Sequence, residues 1–213
     1  MTQWVEGQAQ ARPHDDLGQH EALGVRAFVA VRMNDQVEQS LAQAIDELQH
    51  PADGLRWVPR PNLHITLKFL GPAVDSQRLQ RFTTGMRQLA ARTAPFDVIA
   101  AGIGAFPDLD RPRTIWVGLR NQQSGALAAL AARLESVAAE YGFEREKRRW
   151  SGHLTIGRVG DRPLADATRD ALLAMRDREF GVSKIESITL YRSHLRPDGA
   201  SYEALATFLF QMR

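Results

Sequence analysis

The chain carries the segment Asn62-Leu63-His64-Ile65-Thr66-Leu67-Lys68-Phe69-Leu70-Gly71, in whose first eight positions polar and apolar residues alternate. Alternation with a period of two is typical of a strand that is buried on one face, because successive side chains point to opposite sides. The apolar face is predicted to carry Leu63, Ile65, Leu67 and Phe69, and the polar face Asn62, His64, Thr66 and Lys68.

A second segment, Gly152-His153-Leu154-Thr155-Ile156-Gly157-Arg158, repeats this arrangement later in the chain. His153 matches His64, Thr155 matches Thr66, and an apolar residue follows each of the four. Residues two apart on a strand point the same way, so each segment presents an imidazole and a hydroxyl side by side. One His-x-Thr motif is a weak signal, because threonine is common in strands. Two copies in matching places indicate a shared chemical role.

Strands and helices follow one another in the same order twice: strand, helix, His-x-Thr strand, helix, strand, with corresponding elements about 85–90 residues apart. This pattern predicts an α+β fold of two pseudo-symmetric lobes. Each lobe is expected to be an antiparallel sheet with helices on its outer face, and the active cleft should lie between the sheets. Residues 96–98 and 180–182 are interpreted as counterparts in the two lobes. We expect residues 1–24 to form a flexible extension and residues 25–213 a single bilobal domain.

The composition excludes several classes of protein. The 213 residues include no cysteine, so disulfides, thiolate nucleophiles and cysteine-based zinc sites are ruled out. The net charge of +2 is too small to indicate nucleic-acid binding by itself. No apolar run approaches the length of a membrane span, and the first residues do not resemble a signal peptide. By default we expect a cytoplasmic monomer without a membrane partner.

Paired histidines suit the opening of a cyclic phosphodiester. That reaction needs a base to deprotonate the attacking water and an acid to protonate the departing ribose oxygen on the opposite side of phosphorus. Histidine is the side chain whose ordinary pKa lets one copy be neutral and another charged near neutral pH. The threonine hydroxyls can donate hydrogen bonds to the phosphate oxygens. The scheme requires no metal and no cofactor, and spacing alone does not say which of His64 and His153 is the acid.

Both motifs resemble those of the two-histidine (2H) phosphoesterases, and within them the RNA 2′,3′-cyclic phosphodiesterases, also called 2′-5′ RNA ligase-like proteins. The resemblance rests on the two quoted segments and extends over about residues 25–210. It implies hydrolysis of a terminal 2′,3′-cyclic phosphate on RNA to a 2′-phosphomonoester. It also implies that His64 is the proton donor, that His153 is the proton acceptor and that Thr66 and Thr155 bind the phosphate.

The second motif departs from the family at one point. The family usually has a proline directly before the second histidine, whereas Ser151 and Gly152 precede His153 here. Glycine allows backbone conformations that proline forbids, so we expect a looser approach to this motif. Arg158 has the parity of Leu154, and a regular strand would direct it away from His153. A phosphate-binding role for Arg158 therefore requires the strand to end or twist there, and an ion pair is the alternative.

Other residues carry weaker hypotheses. Lys68 is interpreted as a solvated lysine, with attraction of the phosphate as the alternative. His194 is interpreted as a loop histidine. Base stacking and core packing are both open for four aromatic residues, Phe28, Trp57, Trp150 and Tyr191.

Several functions remain compatible with the same residues. A 2′-5′ RNA ligase runs the reaction in reverse, and a 2′-5′ oligonucleotide phosphodiesterase uses the same acid–base pair. A non-catalytic RNA- or nucleotide-binding module would retain the cleft alone. A histidine-based metal site is a poor alternative, since neither motif has a carboxylate or a further histidine at ligand spacing.

Overall fold

The structure is a computed structural model that describes residues 24–49, 54–120, 125–160, 163–197 and 199–211. The predicted extension at residues 1–24 lies outside these ranges except for its last residue, so the division at residue 24 stays a prediction. No helix within the described ranges is long and apolar enough to cross a membrane.

Nine strands and four helices make up the described part of the chain. The strands are β1 (Val25–Val31), β2 (Leu55–Trp57), β3 (Ile65–Val74), β4 (Phe96–Phe106), β5 (Thr114–Arg120), β6 (Leu154–Val159), β7 (Glu179–Ile185), β8 (Ser187–Arg196) and β9 (Gly199–Leu209). The helices are α1 (Asp35–Leu48), α2 (Ser76–Ala91), α3 (Ala126–Glu140) and α4 (Asp166–Ala174). A short 3₁₀ turn at Arg60–Asn62 leads into β3.

Local sequence explains where the first two helices begin. The Asn34 side chain accepts a hydrogen bond from the Val37 backbone N–H at 3.0 Å, and Asp75 accepts one from the Arg78 N–H at 2.8 Å. Such caps satisfy backbone donors that have no partner inside the helix. The sequence predicts Asn34 as the cap of α1, and Asp75 or Ser76 as that of α2. The first prediction is confirmed, and the structure selects Asp75 for the second.

The strands form two sheets, in the orders β3-β1-β8-β9 and β2-β6-β5-β4-β7, and every pairing is antiparallel. Helices α2 and α3 pack on the first sheet, and α1 and α4 pack on the second. Apolar residues of both sheets and all four helices belong to one buried core. The predicted α+β fold with two antiparallel sheets is therefore confirmed.

The two sheets do not correspond to contiguous halves of the chain. Strand β4 follows the first motif but joins the sheet of the second, while β8 and β9 return to the sheet of the first. Residues 96–98 and 180–182 are therefore not counterparts: they lie on adjacent strands of one sheet, with Asp97 opposite Lys184 and Ile99 opposite Val182. The interpretation was wrong because periodicity identifies a strand but does not say which partner it pairs with.

Two local assignments also differ from expectation. Strand β2 was not predicted, because its three residues are too few to show alternation. His194 lies on β8 rather than in a loop, and its Nε2 is 3.0 Å from an oxygen of the Glu203 carboxylate on β9. His194 is thus held by a neighbouring strand and does not line the cavity that His64 and His153 share.

Candidate active site

His64 and His153 line one cavity of about 240 Å³ between the two sheets. His64 directly precedes β3, and His153 directly precedes β6. Thr66 and Thr155 contribute to the same walls. Within the described residues neither threonine hydroxyl has a hydrogen-bond partner, so both remain available to a ligand. The fold thus brings together two motifs that are far apart along the chain.

Both imidazoles are held in the same way. His64 Nδ1 donates to the backbone carbonyl of Asn62 at 2.7 Å, and His153 Nδ1 donates to that of Ser151 at 3.0 Å. A carbonyl oxygen can only accept, so each neutral ring keeps its proton on Nδ1 and leaves Nε2 with a free lone pair. Each ring therefore has one anchored nitrogen and one nitrogen free for proton transfer.

The surroundings of the two rings differ. His64 lies 4.9 Å from the Phe28 ring and 5.0 Å from the Tyr202 ring, centroid to centroid, whereas His153 meets Phe106 at 5.1 Å. Burial lowers the pKa of His64, and the positive charges of Arg158, Arg32 and His153 act in the same direction. The hydrogen bond to the Asn62 carbonyl opposes this shift. In the free protein, then, His64 favours its neutral form.

An extra residue in each motif strand changes which side chains face the cavity. The register of β3 against β1 shifts at three places, and one of them lies in the motif: Val29 pairs with Lys68 but Ala30 pairs with Thr66, so Leu67 is an extra residue there. In β6, Ile115 pairs with Gly157 but Trp116 pairs with Thr155, so Ile156 is the extra residue. Such β-bulges reset the alternation of side chains. They occupy matching places in the two motifs.

The bulge in β3 overturns two predictions. Phe69 was expected in the core, but it is 42% exposed and lines the cavity. Lys68 was expected in solvent, but it is only 5% exposed. Its ammonium group lies 2.9 Å from a carboxylate oxygen of Glu135 on α3 and donates to the Glu144 carbonyl at 2.6 Å. Lys68 is therefore a buried, paired cation rather than a phosphate-attracting surface group.

The matching bulge in β6 settles the direction of Arg158. A regular strand would turn this side chain away from His153, but the extra residue returns it to the cavity wall beside both histidines. Among the residues that the structure describes, no carboxylate pairs with its guanidinium group. A phosphate-binding role for Arg158 required the strand to end or twist at this point, and the bulge provides that change of direction.

An indole ring occupies the space beside the second motif. Trp150 donates its Nε1–H to the backbone carbonyl of Thr66 at 3.0 Å. A Cβ atom on residue 152 would lie 2.5 Å from the Trp150 ring, so only glycine fits there without displacing it. The sequence predicts a looser backbone before His153 because of Gly152. In the structure, the missing side chain at Gly152 instead makes room for the Trp150 ring, which is hydrogen-bonded to the first motif.

The aromatic candidates divide by surroundings. Phe28 lines the cavity of the two histidines and stacks on Tyr191 at 5.3 Å, while Trp57 and Trp150 line adjoining cavities. Sequence reasoning missed Tyr202 and Arg26, which lie on the cavity wall but belong to no motif. Asn62 also lines the cavity, and its place in the first alternating segment was the available signal. No group of three or more possible metal ligands occurs within the described ranges.

Comparison with known proteins places these features in a family. A sequence profile of the 2′-5′ RNA ligase superfamily matches residues 37–196. The chain is 32% identical over 186 residues to the RNA 2′,3′-cyclic phosphodiesterase of Archaeoglobus fulgidus, covering 86% of this chain and 99% of that protein. It is 29% identical to the protein of the same name from Methanothermobacter thermautotrophicus, covering 87% and 99%.

Solved structures show the same fold. A crystal structure of the protein TT0787 from Thermus thermophilus aligns with a TM-score of 0.74 at 26% identity, covering 87% of this chain and 97% of that one. Escherichia coli LigT, crystallised with 3′-AMP, aligns with a TM-score of 0.71 at 22% identity, covering 88% and 99%.

Proposed function

This chain belongs to the 2′-5′ RNA ligase superfamily, and on that premise we propose that it hydrolyses the terminal 2′,3′-cyclic phosphate of RNA to a 2′-phosphomonoester. The observation that carries the proposal is the shared cavity, which two imidazoles and two threonine side chains line together. Among the described residues neither Nε2 atom and neither threonine hydroxyl has a hydrogen-bond partner. The curated relatives, matched over most of their length, are named for this activity.

The reaction assigns one role to each histidine. His153 Nε2 removes a proton from water as the water oxygen attacks phosphorus. The bond from phosphorus to O3′ breaks on the opposite side, and His64 gives its Nε2 proton to that oxygen. The products are a 2′-phosphate and a free 3′-hydroxyl. The proton taken from water remains on His153.

The remaining residues stabilise the charge that develops on the phosphate. Thr66 and Thr155 donate hydrogen bonds to the non-bridging oxygens, and Arg158 supplies a positive charge at the same wall. Because these donors are held by strands before substrate arrives, they need little rearrangement in the transition state.

The assignment of His64 as the acid must account for its lowered pKa. An acid must carry its proton when the substrate is bound, and burial disfavours that form in the free protein. The incoming phosphate brings a negative charge close to the ring, which raises the pKa again. Substrate binding and protonation of His64 are therefore coupled.

Other activities use the same groups. Reversal of the reaction joins RNA ends through a 2′-5′ linkage, and cleavage of 2′-5′-linked oligonucleotides places the same acid and base around phosphorus. A non-catalytic RNA- or nucleotide-binding module is the alternative of a different class. That the protein acts as a monomer in the cytoplasm stays a prediction.

The test is hydrolysis of RNA that ends in a 2′,3′-cyclic phosphate, with the product isomer identified by chromatography against 2′- and 3′-phosphate standards. We expect the 2′ isomer, turnover that persists in excess EDTA, and loss of turnover in His64→Ala and in His153→Ala. His194→Ala is the matched control and should keep the wild-type rate, because its ring faces Glu203 instead of the cavity. Unchanged turnover in both active-site variants would exclude catalysis at this site.

A further inference from the structure

Two larger spaces adjoin the catalytic cavity and meet different walls of it. One, of about 500 Å³, shares Thr66, Phe69 and His153 with the cavity. The other, of about 610 Å³, shares Arg26, Arg158 and Tyr202 among its walls; we call it the arginine groove. If the end of a polymer occupies the catalytic cavity, the rest of the polymer can lie in either of these two spaces.

The charged residues that the structure describes in the arginine groove are all basic. They are four arginines, Arg26, Arg56, Arg158 and Arg196, and no described acidic residue lines the groove. Within the described part of the chain, none of these four guanidinium groups forms an ion pair with a carboxylate. Arg32, Arg60 and Arg178, in contrast, face carboxylates. Four guanidinium groups without a carboxylate partner among the described residues therefore line this one groove.

Two of these arginines lie directly opposite each other. Arg56 on β2 is the cross-strand partner of Arg158 on β6. Like charges in this position are destabilising, because their side chains lie on the same face at close range. The strand pairing therefore keeps an unfavourable contact that an anion between the two side chains would relieve. Arginine is well suited to that ligand, since its planar fork matches the oxygens of a phosphate group.

The other adjoining space lacks this character. Its charged residues have both signs: Glu135 and Glu146 lie beside Lys68, Arg148 and Arg149. Lys68 is already neutralised by Glu135. An extended polyanion is therefore favoured in the arginine groove and not in this second space.

The proposed substrate has only one strand to place in a groove. When the last ribose of an RNA carries a 2′,3′-cyclic phosphate, the strand can continue only from its 5′ oxygen. We propose that the arginine groove binds the ribose-phosphate chain on the 5′ side of the cyclic phosphate, so that the protein is specific for single-stranded RNA ends over cyclic mononucleotides. Trp57, half-buried on the groove wall, offers a ring face for a base of that chain. This inference rests on the proposed function.

The test compares two substrates that react at the same bond: 2′,3′-cyclic AMP and a short single-stranded RNA ending in the same cyclic nucleotide. In the double variant Arg56→Gln/Arg196→Gln, kcat/KM for the RNA should fall roughly tenfold, as expected for two solvent-exposed ion contacts, while hydrolysis of cyclic AMP changes little. The salt dependence of kcat/KM for the RNA should also become shallower, by a slope of about 0.7 for each phosphate that the variant no longer neutralises.

Control variants separate the groove from general charge effects. Arg133→Gln removes an exposed arginine on α3, away from the cavity, and should leave the hydrolysis of both substrates unchanged. Arg148→Gln/Arg149→Gln alters the second space and should leave the preference for RNA intact. The proposal is overturned if that variant carries the RNA-specific loss, if both substrates fall equally in the Arg56→Gln/Arg196→Gln variant, or if neither changes.

A binding measurement tests the arginine groove separately from the proposed enzymatic function. Fluorescence anisotropy with labelled RNA ending in a cyclic phosphate measures affinity for the His64→Ala variant, which needs no turnover. Adding Arg56→Gln and Arg196→Gln to His64→Ala should weaken that affinity. If the wild-type protein shows no hydrolytic activity but the added substitutions weaken RNA affinity, the groove is supported and the proposed function is rejected. Unchanged affinity beside normal wild-type turnover would reject the groove alone.

Discussion

Trp150 and Thr66 connect the two His-x-Thr motifs directly, through the hydrogen bond from the Trp150 indole to the Thr66 backbone carbonyl at 3.0 Å. Trp150 stands three residues before His153, and Thr66 stands two residues after His64. The bond therefore couples the approach to one imidazole with the strand that follows the other. The relative placement of the two histidines depends in part on this contact.

Replacing Trp150 by phenylalanine keeps most of the ring and removes the donor. Loss of one hydrogen bond of this kind costs about 1 kcal/mol, so we expect kcat to fall up to about tenfold with a smaller change in KM. Steady-state kinetics on a cyclic-phosphate substrate measure both. Trp116→Phe is the matched control, because the buried Trp116 Nε1 has no partner among the described residues. An equal loss in both variants would assign the effect to ring volume.

Gly152→Ala tests the same contact from the other side. The added Cβ would approach the Trp150 ring to 2.5 Å, and the ring must move to accommodate it. We expect a fall in kcat similar to that of Trp150→Phe and little further loss in the double variant, because the two changes disrupt one interaction. Additive losses in the double variant would contradict this interpretation.

The buried pair Lys68–Glu135 anchors the segment that leads to His153. Glu135 accepts from Lys68 Nζ and also from the Glu146 backbone N–H at 2.9 Å, while Lys68 donates to the Glu144 carbonyl. Glu135→Gln leaves a buried ammonium group without its counter-charge, and we expect the free energy of unfolding to fall by about 3 kcal/mol. Denaturant unfolding measures this change.

A double substitution separates stability from placement of the loop. Lys68→Met with Glu135→Leu removes both charges, so much of the stability lost in Glu135→Gln should return. The double variant also lacks the bonds to the Glu144 carbonyl and the Glu146 N–H, which the single variant Glu135→Gln can still make, and kcat should therefore stay below the wild-type value. Full recovery of kcat together with stability would show that the pair does not position the second motif.

The pH dependence of kcat/KM should reveal the lowered pKa of His64. The two limbs of a profile from one acid and one base report the lower and the higher pKa of the pair, whichever group is the acid. The pKa of His64 in the free enzyme lies below the ordinary imidazole value of 6.5, so one limb should lie on the acid side of that value. A profile with both limbs above it would argue that His64 is not one of the two titrating groups.

Arg158→Gln tests one cause of that shift. Arg158 lowers the pKa of His64 through its positive charge, so its removal should move the limb that reports His64 to higher pH, while the rate itself drops. Histidine NMR titration of the free protein measures the same change without turnover. Arg56→Gln is the comparison, since Arg56 is not among the charges that act on His64.

Local pattern in the sequence determined the two motif strands, the pairing of each histidine with a threonine, and the α+β class. These follow from alternation and repetition, which depend only on neighbours along the chain. The same information predicts that His64 and His153 act in one reaction, because two matching motifs at corresponding places indicate a shared role.

Only the tertiary structure decided which strands complete each sheet and where the bulges fall. Hydrogen bonds between distant strands place β4 in the sheet of the second motif and β8 and β9 in the sheet of the first. They also direct the side chain of Lys68 into the core and that of Arg158 into the cavity. An extra residue in one strand is defined only by its partner, so no period within that strand predicts it. The opposition of Arg56 and Arg158 likewise arises from a register that exists only in the folded sheet.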